Sequence, residues 1–142
     1  MSENGWRTVR LSEVEPYPGD SEGLEGWLPL RHPLGVEAFG VNAWIGRGEG
    51  DDVIEEHNEL NDDPALNHEE LYVVIEGHAT FTFDGNELDA PRGTVVFVKD
   101  PAIVRRAVAR SAGTTILAIG ATPGEVFKPS PWERRRLETR AV

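Results

Sequence analysis

The chain has 142 residues, 39% of them apolar, enough for one domain with a real core. Its net charge is −11, which argues against a duplex nucleic acid or an anionic membrane as partner. It contains no cysteine, so disulfides, thiolate–zinc sites and thiol nucleophiles are excluded.

The opening "MSENGWRTVR" has no apolar core of signal-peptide type, and no apolar run is long enough to span a bilayer. A cytoplasmic protein is expected. Residues 1–35 read as an irregular arm with "EPYPGDSEG" as a loop. Trp6, Tyr17 and Trp27 in this arm are expected to pin it to the body of the protein or to a second subunit, and a homodimer is the expected assembly. "EAFGVNAWIG" (37–46), rich in aromatic and β-branched residues, predicts a strand.

Next comes "EEHNELNDDPALNHEELYVVIEG" (55–77), which holds two of the four histidines among many carboxylates. Its last part, "LYVVIEG" (71–77), is a nearly continuous apolar strand, so both faces are expected to be covered. Asp51, Asp52, Glu55, Asp62, Asp63 and Glu69 read as a solvated rim. They lack the ligand spacing of an EF-hand loop.

"HATFTFDGNELDA" (78–90) predicts a hairpin with a type I′ turn at Asp84-Gly85. A two-residue loop pairs Phe83 with Asn86, Phe81 with Leu88 and Ala79 with Ala90. Ala79, Phe81, Phe83, Leu88 and Ala90 then face the core. His78 falls on the opposite face with Thr80, Thr82, Glu87 and Asp89, and is set aside as a surface residue. "TVVFV" (94–98), "IVRRAVA" (103–109) and "TTILAIGA" (114–121) follow as strands separated by "PRG", "DPA" and "SAG" turns. The series predicts an antiparallel sandwich or small barrel.

The one clear helix is "PWERRRLETR". Ser130 suits the N-cap, Pro131 the first helical position, and Glu133 completes a capping box. Trp132 is expected to dock the helix on the barrel. Arg134, Arg135, Arg136 and Arg140, beside Glu133 and Glu138, read as a solvated helix face.

Within residues 38–121 the sequence resembles a cupin. The back half of the first cupin motif, G-x5-H-x-H-x3,4-E-x6-G, is present as Glu70, six residues, then Gly77. The "DG" hairpin and "DAPRGTVVFV" are similar to cupin wording as well. The resemblance implies an all-β, single-domain double-stranded β-helix (jelly-roll) barrel over residues 36–123. The arm (1–35) and a C-terminal extension (124–142) with its short helix would flank it.

The front half departs from the motif, because His57 lies 13 positions before Glu70. With His57 in the first histidine position, Glu59 takes the second. Counting from Gly50 puts Glu56 and Asn58 there instead. The second motif, G-x5-P-x-G-x2-H-x3-N, is eroded. From Gly93 the histidine position falls on Val104, and from Gly85 on Val96.

Residues two apart on a strand face the same side. If Glu70 points inward, as the motif implies, His68 does too, and His57 pairs likewise with Glu59. The candidate metal ligands are therefore His57, Glu59, His68 and Glu70, a set suited to Fe, Zn, Mn or Ni. Of the adjacent Arg105 and Arg106, one must point inward, either to pair with a buried carboxylate or to clamp an anionic ligand. Two functions follow from the resemblance. One is a cupin that binds a small organic molecule in its barrel. The other is a metal-dependent enzyme of oxygenase, isomerase or cyclase type. Fold alone does not choose between them.

Overall fold

The computed structural model describes residues 5–17 and 26–140. The strands, in chain order, are β1 (Trp27–Pro29), β2 (Gly40–Gly46), β3 (Asp52–His57), β4 (Glu69–Glu76), β5 (His78–Phe83), β6 (Asn86–Pro91), β7 (Val95–Val98), β8 (Arg105–Ala109) and β9 (Thr114–Ala121). They form two antiparallel sheets, one in the order β1-β2-β9-β4-β7 and the other β3-β8-β5-β6. Helix α1 (Arg31–Leu34) follows β1, and helix α2 (Pro131–Arg140) follows β9. No helix among the described residues is long and apolar enough to cross a membrane.

The inner faces interdigitate large against small. Tyr72, Val74 and Ile116 of one sheet meet Ala79, Phe81, Ala107 and Ala109 of the other, all essentially sealed from solvent. Alternation places this set, since each strand sends every second side chain inward.

The inner surface changes character along the strands. On β4 the inward residues run Glu70, Tyr72, Val74, on β9 Gly120, Ala118, Ile116, and on β2 Gly40, Asn42, Trp44. Register aligns these series, because Glu70 and Gly40 both pair with Gly120 and Trp44 pairs with Ile116. One end of the sandwich is therefore filled with hydrocarbon and the other is polar and open.

The hairpin has the predicted register from Phe83–Asn86 to Ala79–Ala90. Asp84 (φ 49°) and Gly85 (φ 85°) both adopt the left-handed conformation that a type I′ turn requires. Leu88 differs from expectation. It shares the face of Phe81, but it lies on the edge strand β6 and is exposed, whereas Ala90 on the same strand is buried.

The arm is more regular than expected. β1 pairs with β2 through Trp27↔Trp44, and Trp27 is fully buried. Its ring stands 5.0 Å from both Tyr17 and Trp132. Trp6, by contrast, is exposed. Trp132 also lies 6.0 Å from Trp44, so it docks α2 on the barrel as predicted. The Glu133 carboxylate, expected to close a capping box, accepts a 2.8 Å hydrogen bond from Arg31 Nε and is buried. A tertiary cation has taken the place of the local backbone donor.

Candidate functional site

β3, like β1, is a strand that sequence patterning missed. Two register shifts against β8 leave Val53 and Ile54 both buried, which breaks the alternation that marks a strand. Its last residue, His57, lies opposite Arg105 of β8. The chain then leaves the sheet, held by a 2.9 Å hydrogen bond from Glu59 N–H to the Pro101 carbonyl. That exit brings the Glu59 side chain back to within 3.2 Å of His57 Nε2. Glu70 Oε1, from β4 across the sandwich, stands 3.6 Å from the same nitrogen.

His57 Nδ1 donates to the Glu55 carbonyl at 2.7 Å, which turns Nε2 toward the two carboxylates. One ligand atom from each of His57, Glu59 and Glu70 lies within 4.8 Å of the other two. Tyr72 donates a 2.6 Å hydrogen bond to Glu70 Oε1, and the phenol is pushed well up by burial and by the Glu70 charge.

Burial works against the charged form of His57, but hydrogen bonds to Glu59 and Glu70 outweigh it and raise the imidazole to about 10. Burial, reinforced by the neighbouring Glu70 charge, lifts Glu59 to about 7 despite its bond to His57. Burial also opposes ionisation of Glu70, yet the bonds from His57, Glu59 and Tyr72 prevail and hold it down to about 2. Two neighbouring carboxylates are thus driven apart, one ionised and one near neutrality.

The other predicted residues fall as follows. His68 faces the same cavity, as strand parity requires, but stands outside the trio. Its Nε2 is 3.1 Å from the Lys128 carbonyl and its ring packs 5.2 Å from Phe127. Burial lowers its pKa. Glu56 is exposed, so the His57/Glu59 register is the one that reaches the interior. Val104 uses its backbone N–H to bond Asp84, and Val96 lies in the apolar core.

Arg105 is the inward member of its pair, with 0% exposure and Nη2 3.8 Å from Glu70 Oε1. Its guanidinium nitrogens have no hydrogen-bond partner among the described residues. Arg106 points outward and pairs with Asp52 at 2.8 Å, so it does not reach the interior. His78 pairs with Asp89 on the outer surface.

The trio lies on the wall of a cavity of about 280 Å³. Asn42, Trp44, His68 and Gly120 line its sides, and Phe127, Trp132 and Arg136 come from the C-terminal segment. Trp27 Nε1 donates to Asn42 Oδ1 at 2.7 Å, leaving the Asn42 amide nitrogen as a donor. Gly120 keeps the wall thin, since a Cβ there would lie 3.2 Å from Glu70 Cγ.

No family model and no curated protein matches the chain. Solved structures do. A sugar phosphate isomerase from the cupin superfamily of Silicibacter pomeroyi superposes with a TM-score of 0.62 at 21% identity, covering 81% of this chain and 75% of that one. A conserved protein with a double-stranded β-helix domain from Klebsiella pneumoniae gives 0.60 at 18% identity over 86% and 95%. A cupin protein from Bacteroides fragilis gives 0.57 at 18% identity over 82% and 92%. Likeness at this identity shows the fold and leaves the reaction open.

Proposed function

Because the chain has the cupin fold, we propose that it binds a small organic molecule in the cavity between its sheets, beside a divalent transition metal held by His57, Glu59 and Glu70. The observation that carries this reading is the convergence of one imidazole and two carboxylate donors within 4.8 Å at the wall of an open cavity. The donor set fits: a nitrogen and two oxygens suit Fe, Zn, Mn or Ni, with coordination positions left for a ligand. The Nδ1–Glu55 bond orients the histidine as metal-ligating histidines are commonly oriented. A bound ion would supply Lewis-acid polarisation of a ligand oxygen. The chain itself supplies the rest. Trp44 and Trp132 offer flat apolar walls, Asn42 a neutral donor, and Tyr72 fixes the Glu70 carboxylate.

A specific observation favours a second, metal-free reading. Arg105 already sets a positive charge 3.8 Å from Glu70, and His57 already bridges both carboxylates. In that case Glu59, near neutrality, and His57 form a proton-transfer pair.

Elemental analysis of protein purified without chelator or affinity metal separates the two. About one equivalent of Fe, Zn, Mn or Ni per chain is expected. His57→Ala and Glu70→Ala should abolish it, while His78→Ala should leave it intact. Metal retained in the first two variants would refute the ligand assignment. No metal, even after incubation and desalting, would favour the proton-transfer pair.

A further inference from the structure

We propose that Arg136, on the helix that closes the cavity, anchors the acidic group of the ligand, and that the ligand is a small organic oxyanion, a carboxylate or a phosphate ester. The inference rests on the cavity being the ligand site, as read above. It does not require the metal.

Arg136 stands apart from its arginine neighbours by its place on the helix. Trp132, Glu133 and Arg136 lie at positions i, i+1 and i+4 and share a face. Trp132 turns that face inward by packing on Trp27 and Trp44. Arg134 and Arg135 fall on the opposite side and are exposed, whereas Arg136 is half-buried and lines the cavity.

Its natural partner would be Glu133, one turn earlier, but Arg31 occupies that carboxylate at 2.8 Å. Arg136 Nε is buried without a hydrogen-bond partner among the described residues, so an acceptor for this guanidinium must come to the side of it that lines the cavity. Desolvating a guanidinium N–H without an acceptor is costly, and a planar two-oxygen anion is the acceptor its geometry fits.

Charge supports the same conclusion. Of the carboxylates on the cavity, Glu133 is neutralised by Arg31, and Glu59 and Glu70 are engaged by His57. Glu55 also lines the cavity but is exposed, so solvent screens its charge. Arg136 has no ion-pair partner among the described residues, and buried Arg105 adds a second positive charge behind Glu70. With a divalent ion on the trio, the surplus stays positive. A ligand with an oxyanion at one end and a hydroxyl or carbonyl oxygen at the other would span Arg136 and the trio.

The test is calorimetric titration of glycerate, glycerol 3-phosphate and uncharged glycerol into manganese-loaded and chelator-treated protein. Wild type, Arg136→Leu, Arg136→Lys and the exposed-face control Arg134→Leu are compared. At least one acid should bind wild type about tenfold or more tighter than glycerol, and the stronger of the two names the anionic group. Arg136→Leu should erase that preference, Arg136→Lys should keep part of it, and Arg134→Leu should keep all of it. No preference for either acid in wild type, including no binding of any probe, overturns the proposal. So does a preference that survives in Arg136→Leu. The metal arm fails separately: acid preference without uptake of manganese, or of Fe, Zn or Ni in its place, refutes the metal centre alone, and metal uptake without acid preference refutes the Arg136 anchor alone.

Discussion

At His57 a single side chain carries three constraints: its Nδ1 is tied to a backbone carbonyl, its Nε2 faces Glu59, and Glu70 stands just beyond. The same pairing makes stability depend on pH in the metal-free protein. A histidine raised from 6.5 to about 10 contributes stability that is fully present below 6.5 and lost as pH rises through 10. Glu59, raised to about 7, acts in the same direction over a lower window, from its ordinary 4.5 upward. Glu70, held down to about 2, contributes stability present above 4.5 and lost on acidification. Between about pH 8 and pH 10, then, Glu59 and Glu70 are ionised in the folded and unfolded chain alike, His57 alone of the trio keeps a proton that the unfolded chain has lost, and chelator-treated wild type should lose stability toward alkali. Urea midpoints of wild type and His57→Gln across that window check this. The wild-type midpoint should fall while the variant's stays flat, and parallel curves would contradict the pairing. Glu70 was legible from motif spacing, and His57 and Glu59 entered as candidates only in a register that breaks that spacing with a long insertion. The place of Arg136 was not legible, because in sequence it stands among four arginines of one short helix, and only the docking of Trp132 tells which of them turns inward.

Among the elements, those announced by local chemistry were legible and those fixed by tertiary pairing were not. The β5–β6 hairpin follows from Asp84-Gly85 and strict alternation, and β9 from an uninterrupted apolar run. β1 has only three residues and forms because Trp27 finds Trp44, a partner remote in sequence. β3 is hidden by its register shifts. The strands also explain Gly77, which ends the motif's back half. Its φ is 76°, and a Cβ there would come within 2.7 Å of Thr114 Cα on β9. Gly85 has a similar φ but open space around it. Gly77→Ala should therefore destabilise by about 3 kcal/mol and Gly85→Ala by about 1 kcal/mol. Denaturant unfolding measures the difference, and equal losses would show that backbone strain alone, without the collision with β9, sets the cost.

Across the whole molecule, one gradient organises the fold. Inward residues pass from hydrocarbon at Val74 and Ile116 to ionisable groups at Glu70, His57 and Arg105, so the core that stabilises the sandwich also forms the floor of the site. The fold class was readable because many short strands each carry their own alternation and turn signals. The site was readable only in part. Its converging imidazole and carboxylates come from β3, β4 and the loop after β3, while one wall of the cavity comes from a helix far along the chain. The claim at the centre is that His57, Glu59 and Glu70 form one metal-holding point at the cavity wall. Its most direct test is an anomalous difference map from crystals of the protein grown with the metal that elemental analysis identifies, collected at that metal's absorption edge. A single peak in bonding reach of His57 Nε2 and the Glu59 and Glu70 carboxylates is predicted. A peak elsewhere, or none at full metal loading, would contradict it.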